Sequence, residues 1–157
     1  NFTTSVELIM DNRVGVWTVF DSIFSADTVM EADYFSDKFR TGNSPLTVTK
    51  CSKNITFNNK VAIIKIYPFI DFGMVNFTDN IKACLLVGYH SGTADENAVD
   101  ILLSKCKEKN IPLYLQGLNK ESALYDSSNN LQEKGVNLVY NSTPEYAYAT
   151  LMIKVNS

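Results

Sequence analysis

Long apolar runs are missing from this 157-residue chain. The longest unbroken one, Ala83 to Val87, falls far short of the ~18 residues a membrane span needs. Basic clusters are missing as well. Lys and Arg number 14 against 17 Asp and Glu, the net charge is −3 and the sequence pI is near 5.1. A nucleic acid or an anionic membrane surface therefore has no electrostatic footprint here. Histidine occurs once, as His90, and the three cysteines, Cys51, Cys84 and Cys106, show neither CxxC nor Cys/His spacing. That argues against a metal site, and nothing points to a cofactor. Cys84 and Cys106 sit in apolar patterns and read as buried free thiols, which suits a reducing, cytoplasmic compartment. No secretory leader pattern, internal repeat or low-complexity tract stands out. Sequons at Asn1, Asn54, Asn76 and Asn141 read as asparagine-rich composition rather than as glycosylation. The chain opens without Met in a helix-like pattern, as an excised piece of a longer protein would.

What is present is ordinary globular material: 45% hydrophobic, 11% aromatic and 20% charged residues. That suffices for one sizeable core, or for one domain and part of another. A helix-like start puts Phe2, Val6 and Ile9 on one face, and Val14 to Phe20 is a β-branched, aromatic strand with no obvious home sheet. Residues 21–59 are polar and irregular, with a turn signal at Gly42-Asn43-Ser44-Pro45, and read as a hairpin or linker. From Lys60 the rhythm changes. Strands are expected at Val61–Tyr67, Ala83–Gly88, Ile111–Leu115 and Val136–Tyr140. Helices are expected at Ala94–Lys109, with Ala98, Ile101, Leu102 and Lys105 on its periodic face, and at Asn129–Lys134, stopped by Gly135. A short helix is expected within Phe72–Ile81. A last helix is capped by Ser142 or Thr143, with Pro144 in its first turn. Strands alternating with helices at short spacing predict an α/β fold with a small four-stranded parallel sheet flanked by helices. An N-terminal helix, strand and hairpin from another domain would precede it. Such sheets bind ligands beyond the carboxyl ends of their strands, at a switch in strand order.

The segment "LLVGYHSGTADENAVDILLSKC" runs from the second of these strands through a glycine-containing turn into a helix. Gly88-Tyr89-His90-Ser91-Gly92-Thr93 could present N–H groups, a hydroxyl and an imidazole to a carboxylate at the helix start. The plain alternative is a turn that needs its glycines for conformation and packing. The glycines are four apart, so a dinucleotide fingerprint is absent. His90 and Ser91 are adjacent, a poor arrangement for a base and nucleophile, and no Asp is placed to orient the imidazole. Asp95 and Glu96 could form a carboxylate pair, but at a first helical turn they complement the helix dipole. Tyr140, Tyr146 and Tyr148 read as packing or as a partner-facing surface. No complete catalytic set is legible.

Six short motifs, in order, resemble the C-terminal part of the L-asparaginase family, especially its cytoplasmic type and the related asparaginase-like amidotransferase subunit. "GVWTVF" resembles the family's GV-x-VVF strand, and "SDKFRTGNSPL" its FDAF-x-S-x-N-x-P-L stretch. "IIKIYPFID" resembles KLYPGI, "LLVGYHSGTA" resembles V-x-x-GYGSGNA, and "IPLYLQG" resembles IPVV-x-SQC. "LQEKGVNLVYNSTPEYAYATLMI" is similar to L-x-x-AGVI followed by TPEAAL-x-KL. The resemblance implies three stretches: residues 1–46 as the end of an N-terminal domain, 47–59 as the interdomain linker, and 60–157 as the C-terminal α/β domain.

The resemblance further implies hydrolysis of asparagine, or in some members glutamine, to the acid and ammonia. A threonine nucleophile with a second threonine, an Asp and a Lys would carry it on turns upstream of this chain. No catalytic residue is then expected here. In the motif, Gly88, Tyr89, Ser91 and Gly92 match, His90 stands where the family has Gly, and Thr93 stands where it has Asn. Ser91, Thr93 and His90 are thus the candidate substrate-binding residues, with Thr93 keeping a hydroxyl but losing the amide's two donors. Leu115-Gln116-Gly117 departs from SQC, and Asp27, Val29 and Ala32 replace a Gly, an Arg and a Lys. Partners implied are an amino-acid substrate, the N-terminal catalytic domain and further copies in a homo-oligomer. Two alternatives stay open. One is a catalytically silent regulatory or assembly domain that binds an effector amino acid or a partner subunit. The other is an unrelated α/β domain that binds a phosphate-bearing ligand at the 88–93 turn.

Overall fold

The computed structural model describes residues 2–12, 14–20, 22–26, 28–32, 39–41, 56–89, 94–118 and 126–157. Helix α1 spans Phe2–Met10. Strand β1 (Trp17–Val19) pairs antiparallel with β2 (Ile23–Ser25), so the orphan strand finds its partner in the next few residues. A second antiparallel pair joins β3 (Val29–Ala32) to β4 (Phe39–Thr41). The shared face of Phe2, Val6 and Ile9 on α1 is open. Phe2 is 84% and Ile9 75% exposed, Val6 is exposed too, and Leu8 is the residue of α1 that is buried.

From Val61 the chain builds an α/β domain. Its parallel sheet has the order β5 (Val61–Lys65), β6 (Ala83–Val87), β7 (Leu113–Leu118), β8 (Asn137–Tyr140). Three helices accompany it: α2 (Glu96–Glu108), α3 (Asp126–Glu133) and α4 (Pro144–Asn156). Of the expected helix within Phe72–Ile81, a single 3₁₀ turn forms at Phe72–Met74.

Side-chain alternation along the strands sorts the core into two layers. Cys84, Leu86, Leu113 and Leu115 face Phe72, Val99, Leu102, Cys106 and Leu131 on one side. Val61, Ala83, Leu85 and Val87 face Ala147 and Leu151 of α4 on the other. Among the described residues, the helices and turns of the β5–β6, β6–β7 and β7–β8 connections therefore pack on one face, and α4 covers the opposite one. Every residue of β6 is buried, as its continuous apolar sequence requires of a strand covered on both sides. Removing one of its leucine side chains would cost about 2–5 kcal/mol.

The buried stripe of α2 is Val99, Leu102, Leu103 and Cys106, one residue round from the expected face. Ile101 is exposed, and Lys105 sends its ammonium to the carbonyls of Gly73 and Val75 at 2.8 and 2.9 Å. Strand order runs straight through the sheet with no reversal. The expected switch-point crevice is consequently not formed within these four strands. Among the described residues no helix is long and apolar enough to cross a membrane.

Candidate functional site

The carboxyl ends of the strands form a staircase of backbone bonds. The N–H of Ile66 donates to Val87 at 2.9 Å, that of Gly88 to Gln116 at 2.8 Å, and that of Asn141 to Leu118 at 2.9 Å. At Gly117 the β7–β8 register slips by one residue, a bulge of the kind that re-aims a strand end. Gly117 adopts φ +119°, and a Cβ there would lie 2.6 Å from the carbonyl oxygen of Tyr89. No side chain fits that gap, so the glycine is what lets the end of β7 close against the end of β6.

Gln116 is buried, and its amide donates to the carbonyl of Ser142. That bond ties the tip of β7 to the turn before α4. There Thr143, 2% exposed, accepts the N–H of Tyr146 at 3.2 Å, with Pro144 in the first turn. Of the two cap candidates, Thr143 is the one used. Asp95 caps α2 by accepting the N–H groups of Asn97 and Ala98 at 3.0 and 3.4 Å. Its oxygen is thus committed to the helix start, as the dipole reading of Asp95 and Glu96 anticipates, rather than to a carboxylate pair.

His90, Ser91 and Thr93 lie outside the described residues, as do Gly92, Asp27 and Cys51. The structure places the frame around them. Gly88 and Tyr89 leave β6, and Ala94 and Asp95 lead into α2. Tyr140, Tyr146 and Tyr148 are all half-buried, with Tyr148 packed on the α4 side of the sheet.

Beside this frame lies a hollow of about 270 Å³ at the carboxyl ends of β5 and β6. Tyr67, Phe69, Phe72 and Tyr89 line it together with Asp95 and Val99. Phe72 is fully buried and forms its floor, whereas Tyr67 and Phe69 are exposed and stand at its rim. Phe69 adopts φ +62°, a left-handed conformation that a bulky side chain rarely takes. Sequence reasoning missed this site. The signal was the aromatic density of "IYPFIDF" after the β5 pattern, which reads only as a strand stopped by Pro68.

Cys84 and Cys106 are buried free thiols, as their apolar settings predict. The start of β6 meets the end of the antiparallel α2 there, and the two sulfurs share a hydrogen bond. That bond, with burial among leucines, pushes the Cys84 thiol far up. Both thiols are closed off from solvent, so neither is placed to act as a nucleophile. Among the described residues no group of three His, Cys, Asp or Glu side chains could hold a metal ion.

Fold and edge together define an α/β domain with a small parallel sheet and a candidate ligand edge at its strand ends. Compared with protein-family models and with curated proteins, the chain gives no significant match.

Proposed function

We propose that this chain is the C-terminal α/β domain, with the end of the preceding domain, of an asparaginase-type amidohydrolase. The reaction would be asparagine plus water to aspartate plus ammonia, with the threonine nucleophile on the preceding domain. This chain would contribute part of the substrate mouth, through Ser91, Thr93 and His90, and surfaces for assembly. The observation that carries the reading is a convergence. The motif stretches "LLVGYHSGTA" and "IPLYLQG" meet at one sheet edge, where Gly88 bonds to Gln116 and Gly117 admits the Tyr89 carbonyl. The "TPE" stretch starts the helix tied to the same edge through Gln116 and Ser142. Residues far apart in sequence that resemble one family thus meet at the carboxyl ends of the parallel strands, although no switch in strand order opens a crevice there.

A second reading is a silent regulatory or assembly domain of the same fold. Gln116 favours it, because its amide is spent on Ser142 rather than left for a substrate. Ammonia release from L-asparagine separates the two, measured on this chain and on the longer parent polypeptide. Activity in the parent alone, lowered by Thr93→Ala, is the expected result. Silence in both would favour the regulatory reading. Turnover by this chain alone would overturn both, since it requires a nucleophile neither supplies.

A further inference from the structure

We propose that the hollow at the carboxyl ends of β5 and β6 binds an organic ammonium group. Tyr67, Phe69, Phe72 and Tyr89 would surround the cation, and the Asp95 carboxylate would serve as its counter-ion.

Among the described residues, four aromatic side chains and one carboxylate line a space of about 270 Å³, with no Lys, Arg or His beside them. Aromatic faces carry negative quadrupole potential and attract a desolvated cation, most strongly when several rings share it. The volume is below the ~300–1,000 Å³ of sites that enclose a drug-sized ligand. It suits a headgroup such as trimethylammonium, with the remainder of the ligand outside. A free amino acid fits less well, because its carboxylate would meet the like charge of Asp95.

One effect opposes the proposal. The N-terminus of α2 points at the hollow with the equivalent of roughly half a positive charge. The full negative charge of Asp95, seated on that terminus, outweighs it, and Glu96 in the first turn adds to the balance.

The rim supplies the second observation. Phe69 holds a left-handed backbone at φ +62° while its side chain is wholly exposed. A large apolar group that gains no burial, on a conformation that disfavours it, has no folding rationale in the unliganded domain. Strain of this kind collects at ligand clamps, where a bound group compensates it. Over an occupied hollow, the Phe69 ring would gain both burial and a cation to face.

The experiment is a calorimetric and NMR titration of the whole chain with choline and with its neutral isostere, 3,3-dimethylbutan-1-ol. Choline is expected to bind at least about tenfold more tightly, because the isostere keeps the shape and loses the charge. Asp95→Asn retains a capping side chain, so the helix start survives. It should weaken choline several-fold and leave the isostere unchanged. Phe69→Gly should weaken choline while raising the thermal midpoint, a pairing that a purely structural Phe69 would not give. No choline binding at tens of millimolar overturns the proposal, and so does equal binding of the isostere, which would mark a plain apolar hollow. The amidohydrolase reading is untouched by either result, since ammonia release is measured separately.

Discussion

At the scale of single residues, two glycines of positive φ described in the α/β domain carry different weights. Gly117 and Gly135 have φ of +119° and +102°, but an added Cβ at Gly117 would sit 2.6 Å from a backbone oxygen, whereas Gly135 has nothing within 4 Å. Gly135→Ala should therefore cost only the conformational penalty, about 1 kcal/mol. Gly117→Ala must also push β6 and β7 apart, and should cost about 3 kcal/mol in urea denaturation. Equal losses would mean the close approach at Tyr89 is soft. Phe69 is the reverse case, a side chain where the backbone favours glycine. The "KLYPGI" stretch that this segment resembles has glycine at that position. Relieving the left-handed strain gains about 1–2 kcal/mol, and glycine's extra chain entropy takes back about 0.5–1 kcal/mol. Because Phe69 is fully exposed, no burial is lost. Phe69→Gly should then stabilise the domain by about 0.5–1 kcal/mol, read from its urea midpoint.

At the scale of elements, stability at the helix ends rests on single polar side chains. Thr143→Ala removes the acceptor for the Tyr146 N–H and should cost about 1 kcal/mol, while Thr143→Ser should be near neutral. Comparing the two variants by thermal denaturation isolates the cap. The far end of α2 is tied to the loop before β6 by Lys109 and Asp79, 2.8 Å apart. The bond from Lys109, and its charge, hold the Asp79 carboxyl below its ordinary value. A depressed carboxylate stabilises above its unfolded value and loses that contribution as pH falls through its folded one. Acid unfolding of Asp79→Asn should accordingly be shallower on the limb below the ordinary carboxylate range. The difference should shrink but persist in 1 M salt, because a screening length of about 3 Å weakens the charge attraction while the direct hydrogen bond at 2.8 Å remains. These elements were largely legible beforehand. The continuous run in β6, the acids and lysines of α2, Gly135 and Thr143-Pro144 each obey a local rule. Errors arose where tertiary partners decide. The 72–81 segment has a helix-like composition, yet it is pinned by Lys105 reaching two of its carbonyls and forms one turn. Hydrophobic periodicity placed the buried face of α2 one residue off because Ala98 and Lys105 pass as face members until the sheet selects Val99 and Cys106. The hollow was only half legible: three of its rings stand together in "IYPFIDF", but Tyr89 and Asp95 come from a second strand end that sequence alone does not bring to them.

At the scale of the molecule, the two halves of the chain differ in how they are held. Both buried clusters draw on residues from Val61 onward, reaching Val155 among the packed ones. Asn58 and Asn156 close that unit with reciprocal hydrogen bonds of 3.1 and 3.3 Å between side chain and backbone, and Lys60 reaches the carbonyl of Val155 at 3.3 Å. The N-terminal segment, in contrast, exposes Phe2, Ile9, Met10, Val14 and Val16, apolar side chains of the sort that a further domain or partner covers. If the domain boundary falls near residue 60, as the resemblance implies, a chain of residues 56–157 should unfold cooperatively. Its free energy of unfolding should lie within about 0.5 kcal/mol of the whole chain's, since no buried cluster is cut. Circular dichroism is the appropriate probe, because the single tryptophan, Trp17, lies in the removed part. The shorter chain should also bind less of a hydrophobic dye, having lost these exposed side chains. A broad, non-cooperative transition would instead show that the N-terminal segment completes the core. The boundary, and with it the amidohydrolase domain assignment, would then have to be redrawn.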